Sequence, residues 1–344
     1  MTDAVQLKET SSIIKLRGVV SGLDKEGAYK AGQVKNGKHE GKEYRSIKFL
    51  LNTSPENRLK VEKFGMEQDY VYPHRKEDKK KKIKKDTKKL PFAKRFNIPE
   101  GYDLIGSRIA LELDDNEKTI SKNMTDFDAV DEIWENLNDG DSVYIRGSIG
   151  YNSYENDNGD FFEENTFNII DIYKEKPIDF DDPKFEEMCV FEQEFVFAES
   201  EVDEEAKAVF VDGYQVSYGN KFNPIKFVVR MDEEKPELRK LAAGFTKTEY
   251  GDVITLGGLV LNRAETIEVE VEGDDEIEDL FGSGVEAKGM TTNAVTTYTK
   301  ELRGLKVTKI ERAVYTQDDF EEDELVEEDG EEVFGDIDDD DLPF

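Results

Sequence analysis

The chain has 344 residues, enough for two or three domains, and its 80 Asp and Glu outnumber its 47 Lys and Arg, giving a net charge of −33. Apolar and charged residues each make up 37% of the chain, which still permits compact β-rich domains with large solvated surfaces. This acidity does not exclude nucleic-acid binding, provided that basic residues gather on one surface.

Cysteine, histidine and hydropathy exclude several classes of protein. Cys189 is the only cysteine, which rules out an internal disulfide framework or a thiolate cluster. His39 and His74 are the only histidines, so we expect no zinc site and no other cofactor. Residues 1–12 are polar and lack a signal sequence, and the longest apolar stretch, 253–261, is too short to span a bilayer. We therefore expect a soluble, cytoplasmic protein.

The first predicted strands bury one face, because apolar and polar residues alternate. Ile14, Leu16, Gly18 and Val20 share one face of the first strand, with Lys15 and Arg17 on the other. In the second strand, Ile47, Phe49 and Leu51 face one way, and Tyr44 and Lys48 the other. Residues 58–64 fit a strand or a helix, and we favour a third strand.

An insertion at about 71–123 interrupts this pattern with a concentrated positive charge. Residues 71–96 contain 12 Lys or Arg against Glu77, Asp78 and Asp86, and Tyr70, Tyr72, Phe92 and Phe96 flank the basic run. Cations neutralise phosphates, and exposed rings stack on unpaired bases at about 1–3 kcal/mol each. The combination favours a single-stranded nucleic-acid surface, although a lysine run alone would favour a solvated charged loop.

A helix and two further strands complete the first predicted domain. Helical spacing relates Phe127, Val130, Ile133, Trp134 and Leu137, with Thr125 or Asp126 as the cap and Asn138-Asp139-Gly140 as the end. Trp134 lies on the apolar side and is predicted to be core. Three strands, a helix and two strands is the order of an OB-fold, whereas the alternative SH3-like barrel lacks the helix.

The candidate nucleic-acid residues are outward cations and aromatic residues of the strands, the side chains of the insertion, and two tyrosines beside the last hairpin turn. They are Lys15, Arg17, Tyr44, Lys48, Tyr72, Arg75, Lys76, Lys79, Lys80, Lys81, Lys82, Lys84, Lys85, Lys88, Lys89, Phe92, Lys94, Arg95, Phe96, Tyr144, Arg146, Tyr151 and Tyr154.

A second copy of the same unit is predicted after an acidic linker at 174–187, so that the domains span 1–173 and 188–312. Three pairs of segments support the repeat: Ser46–Leu51 with Pro224–Val229, Gly140–Gly147 with Gly251–Gly258, and Phe167–Tyr173 with Leu302–Ile310. Residues 236–243 are the predicted equivalent of the helix. The predicted fold is therefore mainly β, with two OB-fold-like barrels in tandem and a disordered acidic C-terminal tail.

The second copy is predicted to bind DNA weakly, or to serve as a packing partner or docking module. Lys226 and Arg230 repeat the outward cations of the first copy. Its last loop, however, has nine Asp or Glu between residues 265 and 279 and no Lys or Arg, so phosphates would be repelled.

The tail, residues 313–344, contains 16 Asp or Glu and no Lys or Arg. Such a stretch repels itself and stays solvated. It ends on Asp338-Asp339-Asp340-Asp341-Leu342-Pro343-Phe344, where acids precede a short apolar tip. This ending is suited to capture by another protein, because the Phe344 ring can fill a pocket and the acids can steer the approach.

This ending resembles the C-terminal tip of bacterial and phage single-stranded DNA-binding proteins, in which acids precede Leu or Ile and then Pro-Phe. Over about 12–173 and 190–312 the chain is similar in pattern to phage members with tandem OB-folds, which would place it in the host cytoplasm. The resemblance implies that Asp338–Phe344 recruits replication, recombination and repair proteins. The two unequal copies, the uniformly acidic tail and the lack of a Gly/Gln/Pro-rich linker depart from the bacterial pattern and leave the oligomeric state open, with a monomer plausible.

Two other classes remain as alternatives. A Mg²⁺-dependent nuclease would use carboxylates as metal ligands, but the acids fall in runs and no phosphate-binding Gly-rich loop occurs. An acidic protein that mimics DNA and inhibits a partner is the other alternative, and the basic insertion argues against it. We expect a binding protein and not an enzyme.

Overall fold

A computed structural model of the chain describes residues 7–77, 80–114, 118–155, 161–217, 219–232, 234–269 and 293–316. The predicted disordered tail lies outside these ranges from residue 317 on, as do Lys79 and the tip Asp338–Phe344. The side chain of Tyr154 is also outside the described part of the chain.

The first half of the chain contains twelve strands and one α-helix within the described ranges. They are β1 (Ser12–Ser21), β2 (Tyr29–Gln33), β3 (Glu43–Asn52), β4 (Arg58–Met66), β5 (Tyr70–Val71), β6 (His74–Arg75), β7 (Asp86–Thr87), β8 (Leu90–Pro91), β9 (Ser107–Leu113), β10 (Thr119–Met124), α1 (Asp126–Asn136), β11 (Ser142–Glu155) and β12 (Phe161–Lys174).

Five of these strands close into a barrel. β1 pairs antiparallel with β3 and β11, β3 with β4, and β11 with β12. The barrel closes where β12 meets β4 in parallel, at Asn168 and Glu62. This order, with α1 before the fourth barrel strand, is that of an OB-fold and confirms the predicted fold. Residues 58–64 belong to a strand, as favoured.

Alternation places the apolar residues in the barrel core. Ile14, Leu16, Ile47 and Leu51 are all fully buried. β1 and β3 approach each other so closely at Gly18 that a Cβ there would lie 2.3 Å from the carbonyl oxygen of Asn52. Only glycine fits this contact without displacing backbone.

Helix α1 covers one end of the barrel. The Thr125 hydroxyl accepts a hydrogen bond from the Asp128 N–H at 3.2 Å, so the predicted cap is present. Val130 and Ile133 are fully buried. The prediction of Trp134 as core was wrong: the ring is exposed at the edge of the buried face, where it packs on Tyr29 with centroids 5.3 Å apart.

The second half repeats the barrel. Its elements are β13 (Met188–Asp203), β14 (Ala208–Ser217), β15 (Lys221–Arg230), α2 (Pro236–Phe245), β16 (Val253–Val269) and β17 (Asn293–Glu311). β13 pairs with β14 and β16, β14 with β15, and β16 with β17, and closure is again parallel, between β15 and β17 at Val228 and Arg303. The predicted helix in this copy is confirmed as α2.

One of the three segment pairs that supported the repeat was misaligned by one strand. Ser46–Leu51 lies in β3, the second barrel strand, whereas Pro224–Val229 lies in β15, the third. Every half-buried strand shows the same alternation of apolar and polar residues, so this pattern does not distinguish one barrel strand from the next. The other two pairs occupy equivalent barrel strands.

The two barrels share one continuous sheet, because β1 also pairs antiparallel with β13 from Ser12–Gln193 to Arg17–Met188. A buried polar cluster reinforces this junction. The Asn57 amide donates to Glu187 Oε1 at 2.9 Å and to the Val260 carbonyl at 3.2 Å. Glu187 also pairs with Arg263 at 3.1 Å.

The charge of Glu187 is stabilised at this junction. Burial by itself raises the pKa of Glu187, but hydrogen bonds from Thr53 and Asn57, together with Arg263, hold the pKa below its usual value. Because these partners come from both barrels, the carboxylate ties the segment between β12 and β13 to each of them.

Candidate nucleic-acid interface

The basic insertion is an ordered unit with its own small core. β5 pairs with β8, and β6 with β7. Val71, Phe92 and Leu104 pack together with Phe127 of α1. Arg95 reaches both oxygens of Asp128 on α1, at 2.8 and 3.1 Å, and so fastens the insertion to the helix.

Tyr102 holds the β6–β7 hairpin against the rest of the insertion. Its hydroxyl donates to the Asp86 carboxylate. The Arg75 guanidinium and the Lys88 ammonium lie 4.9 and 4.6 Å from its ring centroid. Backbone N–H groups of His74 and Asp103 donate to each other's carbonyls at 2.8 Å. The basic hairpin therefore projects from a fixed base.

The predicted lysines of the insertion are exposed along this hairpin and the segment after it. They are Lys76, Lys80, Lys81, Lys82, Lys84, Lys85, Lys88, Lys89 and Lys94. The hairpin turns at Lys82, whose φ of 54° lies in the left-handed region. So many cations on one projecting segment form a strongly positive surface on an acidic protein.

Three aromatic rings of the insertion are exposed to solvent. Tyr70 and Tyr72 lie on the outside, with the Lys89 ammonium 3.8 Å from the Tyr70 ring centroid. Phe96 is 70% exposed, and the Arg95 guanidinium lies 4.4 Å from its centroid. Exposed rings are able to stack on bases while the exposed lysines of the insertion neutralise the phosphates.

Two predicted contact residues of the insertion have structural roles instead. Phe92 is only 7% exposed and packs edge-on against Phe127 at 5.9 Å, so it has no face for a base. Arg95 is largely buried in its ion pair with Asp128. The prediction was wrong for Phe92 because alternation of basic and aromatic residues does not reveal which rings form the small core.

A row of charged side chains crosses the barrel wall beside the insertion. Strand register places Lys15 of β1 opposite Arg146 of β11, Arg146 opposite Asp171 of β12, and Asp171 opposite Arg108 of β9. At the usual distance between strands, the four positions span about 14 Å. We call these three cations and one acid the cation row.

Asp171 organises the cation row. Its side chain is 8% exposed, receives Arg146 at 2.6 Å and accepts the Arg108 backbone N–H at 3.2 Å. The Arg108 side chain turns instead to Asn123, at 3.1 Å. One buried carboxylate thus orients Arg146, which remains half-exposed, and leaves the row with a net positive charge.

Three members of the cation row, Arg108, Arg146 and Asp171, line a cleft of about 590 Å³ between the barrel wall and the β6–β7 hairpin. Lys76 and Lys85 of the hairpin face Arg108, Arg146 and Tyr173 of the wall across this cleft. The fold therefore brings together predicted residues that are distant in sequence. Arg108 and Tyr173 were missed, because nothing in the sequence indicates that β9 runs beside β12.

The other predicted residues lie on the outer faces of the first barrel. Arg17 donates to the Glu186 carbonyl at 2.9 Å, and the ring of Tyr144 packs on Tyr173 at 6.0 Å. Burial raises the pKa of Tyr144. Tyr151 lies half-buried on β11.

A second aromatic surface lies on β3 and β4. The rings of Tyr44 and Phe64 stack with centroids 6.1 Å apart and planes at 27°. Lys48 pairs with Glu62 at 3.6 Å, and Lys60 lies on the same outer face. Sequence reasoning missed Phe64 and Lys60, although the alternation of β4 predicts that both face outwards. In OB-folds the second and third strands commonly contact the ligand.

The described residues contain neither a metal-binding cluster nor a membrane-spanning helix. No group of three or more His, Cys, Asp or Glu side chains in these ranges could hold a metal ion. Neither α1 nor α2, the α-helices of the described part of the chain, has the length and apolar character needed to cross a bilayer.

Comparison with solved structures finds two forms of the single-stranded DNA-binding protein from Thermus aquaticus, the wild type and a deletion variant. Each has 8% sequence identity, a TM-score of 0.39 and coverage of 90% of this chain, with 97% of the wild type and 98% of the variant covered. At this level the likeness does not assign a function. No curated protein matches the sequence. A family profile, YorF, matches residues 77–332, well over half of the chain, and the protein therefore belongs to the YorF family.

Proposed function

We propose that the protein binds single-stranded DNA without sequence preference and protects it during replication, recombination and repair. The observation that carries this proposal is the cleft in which Lys76 and Lys85 of the insertion face Arg108 and Arg146 of the barrel wall. Exposed rings flank these cations on the same insertion.

The chemistry of this surface suits an unpaired strand. Lysine and arginine neutralise phosphates, and binding releases the counterions that the strand had condensed. Tyr70, Tyr72 and Phe96 are 43%, 47% and 70% exposed, and every base offers a face for stacking. Sequence tolerance follows, because neither interaction reads the hydrogen-bonding edge of a base.

The second barrel is proposed to contribute less affinity. Its outward Lys226 is paired with Asp212 at 3.3 Å, and Arg230 with Glu301 at 2.8 Å. Cations that already have acidic partners gain less from a phosphate, as does Arg146 in the first barrel. Only residues 231–235 lie between β15 and α2, however, where the first barrel has the basic insertion. Its role is to hold the first barrel in place through the shared sheet and the cluster around Glu187.

We further propose that the C-terminal tip, Asp338–Phe344, recruits partner enzymes, and that the acidic tail competes with DNA for the insertion. The 16 carboxylates resemble a strand of phosphates, and a tethered segment acts at an effective concentration that reaches about mM. DNA would displace the tail and free the tip, so that coating and recruitment are coupled.

Titration of a labelled oligonucleotide at several salt concentrations tests the DNA proposal. Replacing Lys82, Lys84 and Lys85 with Gln should weaken binding and reduce the log–log salt slope by up to about 2, since each single-strand phosphate contact contributes about 0.7. The matched control replaces three exposed lysines of the second barrel: Lys221, Lys240 and Lys247. An equal effect of both variants would show that only overall charge matters and would contradict this site.

The same titration separates the proposal from its alternatives. Binding without loss of the oligonucleotide supports a binding protein. Cleavage that requires Mg²⁺ would favour a nuclease, and absence of DNA binding would favour a DNA mimic.

A further inference from the structure

The two barrels differ in what lies beside the outer edge of their last strand. In the first barrel, β12 leaves β4 after Asn168 and gains β9 as a parallel neighbour from Asp171 to Tyr173. In the second barrel, β17 meets β15 only at Arg303. Within the described ranges, no strand pairs with the edge of β17 at residues 305–311, which we call the β17 edge.

The β17 edge leaves apolar side chains uncovered. Val307 and Ile310 lie opposite the fully buried Leu256 and Ile254 of β16, yet they are 38% and 40% exposed. In the first barrel, Ile172 of β12 is 0% exposed, with β9 beside it. The difference indicates that the second barrel lacks the strand that completes the first.

Open strand edges are templates for pairing with another extended chain, and folded proteins usually cover or block them. Adding a strand to such an edge is a common mode of peptide recognition: the backbone supplies hydrogen bonds, and alternate side chains supply specificity. The first barrel provides an internal precedent, since β9 occupies the equivalent edge in parallel orientation.

Charge indicates the chemistry of the occupant. Lys306 and Lys309 are exposed residues of the β17 edge, and Lys309 already contacts Glu311. An occupant with acidic side chains at alternate positions would pair with these lysines, and its apolar positions would cover Val307 and Ile310. A second copy of β17 would instead bring like-charged lysines into one short ladder.

We propose that the β17 edge is a docking site for an extended segment of another protein in which apolar residues alternate with Asp or Glu. The segment adds to the second barrel as a parallel strand, as β9 does to the first. This inference is independent of DNA binding.

The test uses a labelled eleven-residue peptide that alternates Glu with Val and Ile, added to the full-length protein. We expect saturable binding, and slower hydrogen exchange confined to the backbone amides of residues 305–311. The control is the same peptide with alternate backbone amides N-methylated, which should not bind because it cannot pair with a strand.

Two variants locate the site. Lys306→Glu should weaken peptide affinity at least about fivefold, and Val307→Glu should weaken it further. The matched control is Lys226→Glu, which changes an exposed lysine on the neighbouring strand β15. It should change peptide affinity less than twofold. Lys306 is exposed, so its variant keeps the test valid if Val307→Glu fails to fold.

Three results would overturn the proposal. One is failure of the alternating peptide to bind, or protection elsewhere in the chain. Another is equal weakening by Lys226→Glu. The third is slow exchange, in the free protein, of those amides of residues 305–311 that point away from β16, because a second copy or the acidic residues beyond 316 would then already occupy the edge.

Discussion

Asp171 is the one acid of the cation row, and removing its charge should strengthen DNA binding while it weakens the fold. The Asp171→Asn variant preserves the shape of the side chain and releases Arg146 from its 2.6 Å ion pair. Arg146 is half-exposed, so a water-like dielectric applies. A unit charge about 5 Å from a phosphate is then worth about 0.8 kcal/mol, or about fourfold in affinity at low salt.

The same substitution removes a largely buried carboxylate that accepts hydrogen bonds from Arg146 and from the Arg108 N–H. Asn can retain only part of this bonding, so the free energy of unfolding should fall by about 1–2 kcal/mol. Opposite signs for affinity and stability are the signature of the proposed arrangement, because a merely structural role would lower both.

Fluorescence anisotropy with a labelled oligonucleotide measures the affinity, and urea unfolding measures the stability. Asp212→Asn in the second barrel is the matched control, since it releases Lys226 from a similar pair at 3.3 Å. It should leave DNA affinity unchanged. Unchanged affinity of Asp171→Asn at low salt, or an equal gain from Asp212→Asn, would refute the placement of DNA along the cation row.

Three further predictions concern the insertion, the junction and the tail. Phe96→Ala should cost about 1–3 kcal/mol of DNA-binding energy with little change in thermal stability, whereas Phe92→Ala should lower stability by about 3 kcal/mol with little change in affinity of the folded protein; titration and thermal unfolding separate the two. The pKa of Glu187 is lower in the folded state, so its contribution to stability is present above the unfolded-state pKa and is lost as pH falls through the folded-state pKa. The Glu187→Gln variant should therefore be less stable than the unmodified protein near neutral pH and should lose stability less steeply in acid. Urea unfolding across this pH range measures both effects. Deleting residues 317–344 should raise DNA affinity at low salt, with the gain fading at high salt, whereas deleting Phe344 alone should spare DNA binding; titrations at two salt concentrations check both.

Alternation and helical spacing were sufficient to predict the strands of the first barrel and α1, because each depends on residues that are close in sequence. Ile14, Leu16, Ile47 and Leu51 are core for this reason. Trp134 was misplaced because helical spacing gives the direction of the buried face but not its width, and the barrel leaves this ring at the margin beside Tyr29.

The candidate site could be predicted only in part. Exposure of the insertion lysines follows from their charge, but the cation row depends on register between β1, β11, β12 and β9. Local patterns do not encode that register, so Arg108 could not be assigned to the site. Phe92 and Phe96 lie four residues apart in the same basic run, and only the packing against Phe127 distinguishes the buried ring from the exposed one.

The central claim is that this surface binds unpaired DNA, and the most direct measurement is the affinity of the full-length protein for a single-stranded oligonucleotide and for the duplex of the same sequence. Stacking on Tyr70, Tyr72 and Phe96 requires unpaired bases, so we predict strong preference for the single strand that persists as salt weakens both complexes. Equal affinity for the two forms at moderate salt would contradict the account.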